Sequence, residues 1–223
     1  MNLSRPVRVA AATSLVVTAA LSVVSILFEP EFPADPTDRL TAIADGGTSA
    51  AVSAVAFTLS QLPFLFGVIV IALYCFGRAP KLAVAGGILA SLGGFGHTVF
   101  GGIALSQLAM ADSPETAAMG KVVEAIESGP AIPFMAMGLL GTVLGLLLLG
   151  TALFRSQLVP RWIPLAMWGF LVVEFVGTSM SDWAAPAAGA LYLVAFGGLA
   201  VHLMAPAQPN ASNEASGAKM SDA

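Results

Sequence analysis

The sequence holds one cysteine, two histidines and two tyrosines in 223 residues, and charged residues make up only 10% of it. The single Cys75 excludes an internal disulfide and any paired-cysteine redox or zinc motif, leaving a small buried hydrophobe as its ordinary role. A soluble domain carries about 25% charged residues, so the shortage of charge excludes that class. Nine basic residues face thirteen acidic ones, a formal net charge of −4. No basic stripe could meet phosphates, which excludes nucleic acid as a partner. HExxH, GxSxG and Walker A motifs are absent, and "GGFG" at 93–96 follows no strand, so it is no nucleotide loop. No lysine lies within an apolar run, which excludes a retinal Schiff base.

Apolar residues are abundant: hydrophobic types make up 57% of the chain. Runs of about 20 apolar residues, the length that crosses a hydrocarbon core as a helix, recur along it. They predict six spans near 8–28, 50–76, 82–108, 131–154, 162–181 and 185–204. The first follows Arg5 and Arg8 as a secretory signal would, but its apolar part is long for one and no A-x-A site follows. The expected fold is an all-α, polytopic, six-transmembrane-helix bundle contacting the lipid bilayer.

Lys and Arg set the expected orientation. Arg5, Arg8, Arg78, Lys81, Arg155, Arg161 and Lys219 fall on one side, and only Arg39 and Lys121 on the other. Both termini are therefore expected in the cytoplasm, with the chain in the cytoplasmic (inner) membrane. The outer loops are acidic, which suits either a solvated surface or a mouth that attracts cations. Two of them carry short amphipathic helices. In "DPTDRLTAIADGG" Asp35 caps, Pro36 follows, Leu40 and Ile43 point inward and Gly46 ends the helix. In "SPETAAMGKVVEAIESGP" Ser113 and Pro114 start the helix, and Met119, Val122, Val123 and Ile126 share one face. That helix belongs on the membrane surface or as a cap on the bundle. Residues 206–223 read as a disordered cytoplasmic tail.

Ionisable groups inside spans are costly and mark functional sites by default. His97 lies in "GGFGHTVFGG" on a stripe with Gly86, Ala90, Gly93, Gly101 and Ala104; Gly87, Ser91, Gly94, Thr98 and Gly102 form the next. Small residues at this spacing let helices approach closely in lipid, so His97 faces protein. Glu174, the one carboxylate well inside a span, is followed on its face by Thr178 and Ser181. At about 1.5 Å per residue, His97, Glu174, Ser60, Gln61, Tyr192, Ser22 and Ser25 fall at similar depth in the outer half. Ligand- or proton-binding candidates are therefore His97, Glu174, Gln61, Ser60, Thr98, Thr178 and Tyr192. Met135 and Met137 lie in the same layer, which keeps haem ligation through His97 open, although methionine in an apolar helix is usually packing. His202, near the inner end of its span, reads as an interfacial residue.

The stretches "DPTDRLTAIADGG", "GGFGHTVFGG" and "FRSQLVPRWIPLAMWGFLVVEFVG" resemble uncharacterised six-span membrane proteins of high-GC bacteria, over residues 1 to about 204. The resemblance implies a six-helix bundle and supplies no activity.

Three function classes stay open. An outward-facing polar cavity around His97 and Glu174 would bind a small ligand or a proton, as in a transporter-like or sensory protein. A His97–Glu174 network that only ties helices together would suit an accessory subunit of a larger complex or homo-oligomer. An intramembrane enzyme or haem protein is the third. The charge asymmetry gives a direct test of topology. Alkaline phosphatase fused after residue 45 is expected to be active and after residue 205 inactive; the reverse pattern would put both termini outside.

Overall fold

The computed structural model describes residues 4–181 and 183–205; the tail expected to be disordered, and Asp182, lie outside them. Six long helices are each long and apolar enough to cross a membrane: α1 (Arg5–Leu27), α3 (Thr48–Phe76), α4 (Pro80–Ala111), α6 (Ile132–Ser156), α7 (Trp162–Phe175, extended by a 3₁₀ turn at Gly177–Ser179) and α8 (Ala184–Met204). Two short helices, α2 (Pro36–Gly46) and α5 (Thr116–Glu127), lie in connections at one end of the bundle. No strand occurs among the described residues. An all-α polytopic bundle follows from the sequence, because a segment in hydrocarbon must satisfy its backbone groups within itself.

The long helices pack in a ring, α1–α3–α4–α6–α7–α8 and back to α1. Its tightest seam joins α4 to α6. A Cβ added to Gly96 would overlap the backbone of Gly138 and Phe134, and one on Gly93 the backbone of Gly141 and Thr142. One on Gly145 would overlap the backbone of Ala90, and one on Gly86 would come 2.9 Å from the Leu149 nitrogen. The two backbones therefore touch over several turns. From the other small-residue stripe, Gly87 faces Ala72 and Gly94 faces Phe64 and Leu65 of α3; Gly101, although on the first stripe, also faces α3 at Thr58. Gly102 faces nothing within 4 Å.

The fifth span differs from the expectation of a helix through 181. Regular α-helix stops at Phe175. Beyond it comes the run Gly-Thr-Ser-Met-Ser, whose hydroxyls compete for backbone carbonyls. Thr178 Oγ1 donates to the Glu174 carbonyl and Ser179 Oγ to that of Val176 at 2.7 Å, while the Met180 N–H donates to Gly177 at 2.8 Å.

The short helices cap the end at which they lie; α2 packs on α4 and α5. Asp35 caps α2 as expected, its Oδ1 accepting from the Thr37 N–H at 2.8 Å and the Asp38 N–H at 3.1 Å. Leu40 and Ile43 point inward, and Gly47, at φ 49°, turns the chain into α3. The second cap helix departs from the sequence expectation in two ways. It starts at Thr116, because Ser113 spends its hydroxyl on a turn by accepting the Glu115 N–H at 3.2 Å. Val122 is exposed, and Val123 alone on that face is fully buried. Between the two helices, Arg39 Nη2 meets Glu127 Oε2 at 2.7 Å, and Gln107 Nε2 of α4 donates to Glu127 Oε1 at 3.2 Å. The Arg39 guanidinium also stacks 4.5 Å from the Phe32 ring.

Basic side chains close the opposite end. Arg8 Nε donates to the Leu203 carbonyl at 2.6 Å and Arg78 Nη1 to that of Ser156 at 2.7 Å. Both reach the negative end of a helix dipole, on α8 and α6. Leu149, Leu153, Ile163, Met167 and Leu199 fill the interior there and are fully buried.

Two outcomes follow. Gly145→Ala is expected to destabilise the protein by about 1–3 kcal/mol through overpacking of the seam. Gly102→Ala is expected to be neutral or to stabilise by about 0.5–1 kcal/mol. Thermal unfolding in detergent distinguishes them, and equal effects would refute the seam. Glu127→Gln leaves Arg39 buried without its counter-charge, a loss of up to about 3–5 kcal/mol for such a pair. Hydrogen exchange is expected to speed up in α2 and α5 and to stay unchanged along α6; uniform exchange would show that the cap is not held this way.

Candidate functional site

Between the cap and the packed half of the bundle lies a cavity of about 280 Å³. Each of the six long helices contributes to its wall, as do Ile43 of α2 and the segment Glu29–Pro30–Phe32. Its volume is at the lower edge of the range of about 300–1,000 Å³ usual for ligand pockets.

His97 and Glu174 both line it, yet they do not touch. The α4 helix packs on α3 and α6, and α7 packs on α6 and α8, so α6 separates them. The hydrogen-bond partner of His97 is Thr142 of α6, with Oγ1 3.4 Å from Nδ1. The imidazole lies against Gly138, where an added Cβ would come 2.9 Å from its Cδ2, and meets the Phe57 ring edge-on at 5.7 Å. Glycine on α6 thus makes room for the histidine on α4. Glu174 projects from the last turn of α7, and its Oε2 is buried without a hydrogen-bond partner. No ion pair joins it to a basic group among the described residues.

Gln61 and Ser60 line the α3 wall and bond to each other and to their own helix. Gln61 Nε2 donates to Ser60 Oγ at 2.9 Å and to the Phe57 carbonyl at 3.1 Å; Ser60 Oγ donates to Phe57 at 2.7 Å. Tyr192 of α8 stacks between Phe170 and Phe196, with ring centroids at 4.7 and 4.3 Å. Two candidates are not part of the wall. Thr98 is exposed and donates back to the Gly94 carbonyl at 2.8 Å, and Thr178 is exposed and turned back to the Glu174 carbonyl. Neither Met135 nor Met137 is among the residues that line the cavity His97 faces.

Several wall residues escaped the sequence reading. Thr18 donates to the Ser60 carbonyl at 2.9 Å, and Ser53 donates to the Ser25 carbonyl at 2.9 Å, tying α1 to α3. Thr18, Ser22 and Ser25 are spaced as one helical stripe, which was the signal for Thr18. Thr142 is hidden in "GLLGTVLGLLLLG", where only the glycine spacing marks its face. Glu29 reads as a solvated loop residue, but it lines the cavity rim. Although the residue keeps an exposed edge, burial of its carboxyl raises its pKa above the usual carboxylate range.

A smaller cleft of about 210 Å³ lies between α4 and α5. Its polar side chains are already bonded, Ser106 to the Gly102 carbonyl at 2.9 Å and Gln107 to Glu127 at 3.2 Å.

The main cavity is therefore a partly open space with aromatic walls, with Thr18, Ser53 and Ser60 hydroxyls bonded to backbone carbonyls, and with carboxyl groups at its cap side. Comparison with family models, with curated proteins and with solved structures gives no match, so what the cavity does has to be read from its walls.

Proposed function

We propose that this chain is a multi-pass protein of the cytoplasmic membrane, with both termini in the cytoplasm, that takes a small molecule into the cavity from the outer face. It acts there as a transporter-like or sensory protein. The observation that carries this reading is the cavity itself: all six long helices wall it, and it holds a buried carboxylate oxygen with no partner. A purely structural network would close its hydrogen bonds. No hydrogen bond or ion pair joins His97 to Glu174 although both line the cavity, which favours a visited site over a clasp.

Two features support access from the cap side. The half of the bundle away from the cap is filled by fully buried side chains and held by Arg8 and Arg78. On the cap side α7 gives way to irregular backbone directly after Glu174 and Phe175, which both line the cavity. Irregular backbone at membrane depth is tolerated beside protein or water, not against lipid.

Cysteine accessibility tests the reading. Ala104 lines the cavity from α4, and the native Cys75 is fully buried and serves as an internal control. In Ala104→Cys, a membrane-impermeant thiol reagent added to the outer face of intact cells is expected to label the protein, and wild type is expected to stay unlabelled. Labelling only from the cytoplasmic face, or none from either, would sink the proposal.

A further inference from the structure

The chemistry of the walls narrows what the cavity takes. We propose that it selects a small organic cation, an amine or quaternary ammonium with an apolar body, held between aromatic walls and the carboxylates of Glu174 and Glu29. This rests on the reading of the cavity as an accessible binding site.

Charge is the first discriminator. Glu174 and Glu29 are the acidic residues of the wall, and no Lys or Arg contributes to it. Glu29 lies close enough to act electrostatically on Glu174. The other titratable groups there are His97, bonded to Thr142, and Tyr192. Arg39, which stacks on the wall residue Phe32, is not itself part of the wall and is paired with Glu127 at 2.7 Å. An anion would enter a site with two carboxylates and no cation, in surroundings where charges are poorly screened.

Hydrogen-bonding capacity is the second. A sugar or other neutral polyol needs free donors and acceptors around it. Here Thr18, Ser53, Ser60 and Gln61 all spend their donors on helix carbonyls or on one another. Among the wall residues, the fully buried polar atom without a partner is the Glu174 Oε2. A bare metal ion fits no better: no group of three or more His, Cys, Asp or Glu side chains converges anywhere among the described residues.

Aromatic faces supply what remains. On the α3–α4 wall, Phe57 meets Phe100 edge-to-face at 6.0 Å. On the α7–α8 wall, Phe170 packs on Tyr192 at 4.7 Å. Ring faces attract a cation through their quadrupole and tolerate its apolar substituents, and such cages are how quaternary ammonium groups are recognised. The cavity thus offers two aromatic walls and a carboxylate, a set that satisfies an organic cation without asking for a complete shell of hydrogen bonds.

Benzyltrimethylammonium, an aromatic cation small enough for the cavity, tests the proposal on Ala104→Cys. It is expected to protect the thiol from labelling, whereas benzenesulfonate at the same concentration is not. Glu174→Gln, introduced beside Ala104→Cys, is expected to weaken that protection at least about tenfold, the effect of losing one attractive charge in a poorly screened site. Glu29→Gln is the second variant, expected to weaken it in the same direction. Equal protection by the two probes, preference for the sulfonate, or protection unchanged in both glutamine variants would overturn the cation assignment and leave an accessible cavity standing. A thiol that no reagent reaches would instead remove the cavity reading itself.

Discussion

The contact of α4 with α6, backbone against backbone, is the constraint on which the rest of the bundle depends. Without water to drive apolar surfaces together, helices in lipid associate through close packing, and glycine permits the closest approach. Gly86, Gly93 and Gly96 meet Gly138, Gly141 and Gly145 along this seam. Its closeness fixes where His97 can go, because the imidazole is laid on Gly138 and steered to Thr142. It also sets the ring. With α4 and α6 fused into one slab, the thinner contacts of α6 with α7 leave the far wall to stand off, and the cavity is the space between.

The two ends of the bundle are built on opposite electrostatic plans. At one end, arginines reach the carbonyl ends of α6 and α8, where a positive charge completes the helix dipole. At the other, Arg39 is paired with Glu127 and holds α2 to α5, and no ion pair joins it to Glu29 or Glu174. One ion pair thus holds the cap helices together, and no Lys or Arg among the described residues lines the cavity beneath them.

Much of the architecture could be read from the chain, because lipid allows few alternatives. Every span was marked by its apolar length, and the glycine stripes of α4 marked a packing face. The site was legible only in part. Depth along a helix follows from counting residues, so His97, Glu174, Gln61, Ser60 and Tyr192 fall in one layer. Rotation about each helix axis is harder to read in segments that are apolar on every side. Thr98 and Thr178 were assigned inward for that reason, and each turned out to bond its own helix on an exposed face. Thr142 had no polar neighbour to announce it. Glu29 belongs to a connection, whose path no periodicity describes.

The early end of α7 has a consequence for the bilayer. Its 14 residues of α-helix span about 21 Å, against about 48 Å for the 32 residues of α4, two places along the ring. A hydrocarbon core about 30 Å thick cannot match both sides. Beside α4 the lipids meet a helix longer than they need. Beyond the last turn of α7, the side chains of Val176, Met180 and Trp183 carry an apolar, exposed surface onward. A short apolar flank is met by thinning of the bilayer, by snorkelling or by association, so the two flanks make different demands on their surroundings. Membrane thickness is therefore a variable that bears more on the flank carrying Glu174 than on the flank of α4.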